Sequence, residues 1–276
     1  MNSDFQDWIG RRETSAPDLI TPRITGSFAA MLGPHLADVE GTAPGLHWCL
    51  VPPIIAADAI GPDGHARLGG FLPPLPLPRR MWAGGDLTFL APLHEGDSVT
   101  RTSEITNLKW KQGRSGPLCF VTVTHEISTQ RGAALREAHH IVYRPAATGP
   151  TAAATAAPAQ PFDSSTEVHI DEVLLFRYSA LTFNSHRIHY DLPYATRQEH
   201  YPGLVIHGPL QATLMLNLAA RHAGQTPRHF SFRAHHPATG AQTLRIGLRH
   251  TSNGVSLAVH DESGIETMTG SADWSD

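Results

Sequence analysis

The chain has 276 residues, 41% of them apolar and 17% charged, with a formal net charge of −4. This length supports a sizeable buried core shared by two units of ordinary size, and the mild negative charge offers no attraction to nucleic acid or to an anionic membrane surface. Two cysteines, Cys49 and Cys119, are too few and too far apart for a secreted disulfide scaffold, so a reducing compartment is expected.

In chain order, the stretch from Met1 to Arg12 carries acids and a tryptophan where an export signal needs a basic start and an unbroken apolar run. No segment is apolar for the length of a membrane span, and the expectation is a cytoplasmic protein. Ser27 to Leu32 reads as helix. Pro52-Pro53 and the run from Pro73 to Pro78 then interrupt the pattern and read as a rigid surface loop before Arg79. Period-two strands follow near Asp86 to Leu90, Val99 to Leu108, Leu118 to Ser128 and Ala134 to Tyr143. Ala146 to Pro161, uncharged and rich in Ala, Thr and Pro, cannot pack a core and reads as a linker between units 1–145 and 162–276. The second unit repeats the order of the first, with a helix over Pro209 to His222 and strands near His229 to Arg233, Thr243 to His250, Gly254 to Asp261 and Glu266 to Asp273. A faint internal repeat aligns Phe89, Pro92, Gly96 and Arg101 with Phe232, Pro237, Gly240 and Arg245. The fold class is therefore α+β, with two sheets that each wrap a helix and join edge to edge.

Histidine is abundant, with 18 residues, but His139-His140 and His235-His236 sit beside strands and read as satisfied or solvated imidazoles. The informative cluster is Asn184, His186, Arg187, His189 and Asp191, followed by His207-Gly208 at the start of the second helix. His189 offers a base that titrates near neutrality, and Asn184 a neutral amide able to orient water. Gly208 offers a bare backbone N–H where the positive end of a helix points at developing negative charge. A base, an oriented water and an oxyanion donor are what addition of water to a thioester-activated double bond requires.

Thr182-Phe-Asn-Ser-His-Arg-Ile-His-Tyr-Asp191 and Gly203-Leu-Val-Ile-His-Gly-Pro209 resemble the MaoC-like hydratases and dehydratases of the hotdog fold. They are more similar to the subgroup with itaconyl-CoA and mesaconyl-CoA hydratases and the mitochondrial 3-hydroxyacyl-thioester dehydratase. Arg79-Arg-Met-Trp-Ala-Gly-Gly85 and Gly113-Arg-Ser-Gly-Pro-Leu118 extend the resemblance to the first half. It implies a double hotdog with a first unit that lacks the active-site motif and shapes the acyl pocket, acting on an acyl-CoA without cofactor or metal, as a homodimer. It further implies catalytic roles for Asn184, His189 and Gly208, and substrate contacts from Thr182, Arg187, Asp191 and His207. One departure is Asn184, which stands where the family has a catalytic aspartate; an amide cannot accept the proton a carboxylate takes. The expected reaction is hydration of itaconyl-CoA or mesaconyl-CoA to citramalyl-CoA, with Arg187 as a partner for the free carboxylate. Lys109, Lys111 and Arg114 read as a solvated face with a place for nucleotide phosphates.

Three other readings stay open. One is a 3-hydroxyacyl-thioester dehydratase. Another is a metal-dependent hydrolase with His186, His189, Asp191 and His207 as ligands, and the third is an acyl-thioester binder without catalysis.

Overall fold

The computed structural model describes residues 5–113, 116–146, 149, 156 and 160–275, so Arg114 and most of the expected linker lie outside the described residues. Two short strands, β1 (Arg12–Thr14) and β2 (Asp18–Leu19), precede helix α1 (Pro22–Leu32). α1 starts five residues before the expected Ser27 because Thr21 caps it, its hydroxyl accepting from the Ile24 N–H, with Pro22 in the first turn. Its buried face is Ile24, Phe28 and Leu32, one residue per turn. Strands β3 (Arg79–Phe89), β4 (Ser98–Gly113), β5 (Gly116–Thr129) and β6 (Gly132–Arg144) complete the first half.

The second half opens with β7 (Ser164–Ile170), which the sequence reading did not place, and two helices, α2 (Glu172–Leu181) and α3 (Leu192–Arg197). Helix α4 (Gly208–Ala223) follows, then β8 (His229–Ala234), β9 (Gln242–Thr251), β10 (Gly254–His260) and β11 (Glu266–Asp273). In α4 every residue from Leu210 to Ala220 is buried, which fits a central helix wrapped by a sheet rather than one lying on a surface. Among the described residues, no helix is long and apolar enough to cross a membrane.

All pairings are antiparallel, and the order β1-β4-β5-β6-β3-β8-β11-β10-β9-β7 makes one continuous sheet from both halves. The join is the β3–β8 ladder, in which Gly84 pairs with Arg233, Gly85 with Phe232 and Leu87 with Phe230. Each half thereby satisfies an edge that would otherwise expose unpaired backbone groups. The faint repeat falls into place here. Phe89 and Phe232 lie on the two joining strands, and Gly96 and Gly240 both adopt positive φ in the turns that follow. One apolar core runs through both halves, including Phe28, Leu87 and Leu135 of the first and Leu210, Leu214 and Phe230 of the second. Asn217, buried in α4, pins the halves together by donating to Pro44 O (2.7 Å) and accepting from Ala37 N (2.9 Å).

The proline-rich run corrects the surface-loop reading. Leu75 and Leu77 are buried against Ile105, Leu108, Cys119 and Val121, forming a second apolar cluster against β4 and β5. Alternate residues of an extended segment point the same way, so the prolines hold two leucines inward. Both cysteines are buried free thiols.

A Cβ at Gly84 would collide with the Phe232 carbonyl oxygen and lie 3.2 Å from Arg233 Cα, whereas one at Gly26 in α1 meets nothing within 4 Å. Gly84→Ala is expected to lower the stability read from urea unfolding by about 3 kcal/mol. Gly26→Ala should raise it by about 0.5 kcal/mol or more. Equal effects from the two substitutions would contradict a close β3–β8 join.

Candidate active site

The motif segment is held at both ends by helix caps. Asp171 opens α2 by accepting from Leu174 N at 2.7 Å. Thr182 ends it, its hydroxyl donating back to Tyr178 O at 2.7 Å. Phe183 then takes a left-handed backbone (φ 52°), and Asn184 N returns to Ser179 O at 2.8 Å, turning the chain sharply out of the helix. Asn184 Oδ1 accepts from His186 N at 3.0 Å, an Asx turn that leaves its side-chain NH2 as the group free to meet a ligand. One 3-10 turn, Arg187–His189, leads to Asp191, which caps α3 through Tyr194 N.

His189 is buried, and its Nδ1 lies 2.7 Å from Val205 O. A carbonyl only accepts, so Nδ1 carries the proton and Nε2 keeps its lone pair. Burial lowers its pKa to about 4, against a raising contribution from the Val205 carbonyl, so the ring is a neutral base at physiological pH. Its face stacks on His207 with ring centroids 3.7 Å apart. His207 is fully buried, lies 2.8 Å from Ser179 Oγ through Nε2, and is held neutral chiefly by burial. It therefore acts as a backing plate for the His189 ring.

Gly208 is the first residue of α4. His207 provides no side-chain cap and Pro209 carries no N–H, so the Gly208 amide stands at the helix tip without an acceptor among the described residues. The imidazole is thus linked to the amide through the His189–His207 stack, His207 being the residue before Gly208. A large concavity lined by His47, Phe89, Arg228 and Trp274 involves neither of them. The opening that reaches the motif is a narrow cleft lined by Asp63, Arg79, Arg80, His186, Ile188, Glu199 and Tyr201.

Three residues expected at the substrate are committed to the frame. Besides the Thr182 cap, Arg187 donates through Nε (2.9 Å) and Nη2 (2.7 Å) to Asp191 Oδ2 and through Nη1 to Pro62 O (3.0 Å). Asp191 in turn divides its carboxylate between Arg187 and the α3 cap. The four ligands of the metal reading do not converge, because His189 and His207 stack face to face and Asp191 pairs with Arg187. Among the described residues, three side chains that could jointly hold a metal are Asp63, His65 and His186, with ligand atoms within 4.8 Å of one another. Lys109 and Lys111 are exposed on β4, and Arg114 lies outside the described residues. The histidines read as bystanders have local partners: His139 and His140 meet Glu137 and Asp86, and His235 meets Thr269.

Sequence reasoning expected the first half to shape the acyl pocket but missed which of its residues meet the motif. The turn from Gly61 to Ala66 is docked on the motif: Arg187 N donates to Asp63 O at 2.9 Å and Ser185 Oγ to Gly64 O. His65 packs on His186 with centroids 4.1 Å apart, and His186 stands edge-on to His189 at 5.5 Å. A lone Asp-Gly-His far from the motif gives no signal of this. Gly64 is required, since its φ is +92° and a Cβ would run into the Ser185 carbonyl.

The chain matches the family model for hydroxyacyl-thioester dehydratase type 2 over residues 45–240. It is 38% identical over 271 residues to the mesaconyl-C(4)-CoA hydratase of Chloroflexus aurantiacus, covering 97% of each chain. In fold it is similar to a MaoC-like dehydratase from Phytophthora capsici, with a TM-score of 0.72 and 14% identity, covering 97% of this chain and 96% of the other. It also resembles a double-hotdog protein of Mycobacterium tuberculosis, with a TM-score of 0.57 and 13% identity over 96% of this chain and 95% of that one. With its two wrapped helices and single joined sheet, the chain is a double hotdog and belongs to the hydroxyacyl-thioester dehydratase type 2 family.

Proposed function

We propose that the protein hydrates a short, branched, dicarboxylic enoyl-CoA to citramalyl-CoA, with mesaconyl-C(4)-CoA and itaconyl-CoA as its substrates. The observation that carries the reading is the buried His189, with Nδ1 tied to Val205 O and its ring stacked beside the residue that presents the Gly208 N–H. The relative that hydrates mesaconyl-C(4)-CoA supports the choice of substrate.

In this mechanism the Gly208 N–H binds the thioester carbonyl oxygen, where negative charge develops as water attacks the β-carbon. The side-chain NH2 of Asn184 holds the water oxygen, and His189 Nε2 takes its proton. The enolate then collapses as His189 returns that proton to the α-carbon. Asn184 acts as a donor only, so one imidazole serves both transfers where the family uses a carboxylate as well. The enolate step needs a double bond conjugated with the thioester. Mesaconyl-C(4)-CoA has that conjugation; itaconyl-CoA, with its thioester on the carboxyl attached to the saturated CH2, lacks it. His189 must then first take an α-proton and the terminal =CH2 carbon must receive one, which gives mesaconyl-C(4)-CoA before water adds, and turnover is expected to be slower. The 3-hydroxyacyl-thioester dehydratase reading is this chemistry run in reverse, and the family's description favours it as the second choice.

Assays on mesaconyl-C(4)-CoA, itaconyl-CoA and crotonyl-CoA should rank them in that order, and faster turnover of crotonyl-CoA would remove the dicarboxylate preference. His189→Gln should lower kcat roughly 1000-fold, the scale of lost general acid–base catalysis. Retained turnover in that variant would contradict the assignment of the base.

The pH dependence follows from the burial of His189. The neutral ring is the active form and its pKa is lowered to about 4, so kcat/KM should stay level down to about pH 5 and fall below it. An acid limb near 6.5 would place the base elsewhere. Stability moves in the same direction. The unfolded imidazole takes up a proton near pH 6.5, whereas the folded one refuses it until about 4. The contribution is complete above 6.5 and is lost on acidification by about 1.4 kcal/mol per pH unit across that window, readable as a falling urea midpoint.

A further inference from the structure

A five-carbon dicarboxylic substrate brings a free carboxylate bonded to the β-carbon, the same carbon that receives water. Its charge must enter a site where the catalytic imidazole is buried, and a carboxylate buried without a partner costs several kcal/mol. A cation must therefore stand close to His189. Three guanidiniums border the motif, and two are already paired. Arg187 is bidentate to Asp191. Arg79 donates through Nε to Glu199 Oε2 at 2.5 Å and lies over the Tyr201 ring.

Arg80 differs from both. Its side chain is only 12% exposed, and its one hydrogen bond among the described residues runs from Nη2 to Ala66 O at 3.0 Å. Its Nε lies 3.8 Å from Asp63 Oδ2, close enough to balance charge and too far for a hydrogen bond. Among the described residues, the remaining donors of the fork reach no carboxylate at hydrogen-bond distance. Beside it lies the hydroxyl of Tyr143, fully buried, whose pKa burial pushes up to about 12 against the opposing pull of Arg80. Arg80 lines the narrow cleft together with His186, and the His186 ring stands edge-on to His189. Burial first, then the competing imidazole of His189 and the charges of Arg80 and Arg79, against a raising contribution from Asp63, hold His186 down at about 3, so it adds no competing positive charge.

We propose that Arg80, assisted by the Tyr143 hydroxyl, seats the free carboxylate of the substrate and sets the preference for dicarboxylic over simple enoyl thioesters. The assignment rests on the hydratase reading of His189. It moves the carboxylate contact from Arg187, where the sequence suggested it, to β3, in the half that carries no catalytic motif. Asp63 then acts as the resting counter-charge, and the substrate carboxylate completes the fork that Asp63 leaves unfilled. Both five-carbon isomers carry this carboxylate on the same carbon, so one guanidinium serves both.

The test is the ratio of kcat/KM for mesaconyl-C(4)-CoA to that for crotonyl-CoA, measured on the full chain and its variants. Arg80→Gln should lower the ratio roughly 100-fold, as expected for loss of a buried charge partner. Arg80→Lys keeps the charge without the fork and should lower it roughly tenfold; it also gives the reading if the glutamine variant does not fold. His189→Gln should depress both substrates together and leave the ratio in place. A parent that hydrates both thioesters, with a ratio that neither folded Arg80 variant moves, overturns the assignment of Arg80 alone. A parent that hydrates neither overturns the hydratase reading, and this assignment with it.

Discussion

The site depends on one short contact between a ring and the backbone, His189 Nδ1–H to Val205 O. It fixes the tautomer, so that the lone pair sits on Nε2, and it ties the motif to the strand of chain that runs into α4. The same stretch is tied a second time, since Val205 N donates to Ile188 O at 2.9 Å. Three residues after Val205 the helix begins with the bare Gly208 amide. The proposed base and oxyanion donor are thus carried by adjacent, mutually bonded segments, which limits how far either can drift from the geometry that both must share.

The first half contributes walls rather than chemistry. Its β3 completes the sheet through the ladder to β8, and its Gly61–Ala66 turn is bonded to the motif through Asp63, Gly64 and Pro62. An isolated second half would expose the β8 edge and would leave Arg187 and Ser185 without these backbone acceptors. The shared apolar core and the Asn217 pin make the same point from the interior. The proposed division of labour follows: one half carries the reacting groups, while the other covers them and would face the acyl group with Arg80.

Much of the fold was legible because the local signals agree with one another. The Leu210, Leu214 and Leu218 stripe and the proline in the first turn mark α4 from sequence alone, and the period-two segments mark β4 to β6 and β8 to β11. The miss at β7 has a plain cause. Ser164–Ile170 is mostly exposed and polar at its start, and pairing with β9 rather than its own pattern makes it a strand. In the Pro73 to Pro78 run composition misled, because the leucines between the prolines fill a core. His189, Asn184 and Gly208 stood out because they are close in sequence and polar without charge alternation. Thr182, Arg187 and Asp191 stood in the same cluster, but they serve as caps and a local ion pair. Asp63 and His65 carried no local signal, since their part is set by a contact between segments 121 residues apart, and Arg80 lay in a stretch that resembled the family without pointing to the site.

The most direct measurement is a crystal structure of the protein with an inert citramalyl-CoA analogue in which a methylene group replaces the thioester sulfur. The account predicts the analogue's carbonyl oxygen within hydrogen-bond distance of Gly208 N and its β-hydroxyl within reach of His189 Nε2. A fully occupied analogue whose carbonyl and hydroxyl lie away from both groups would contradict it.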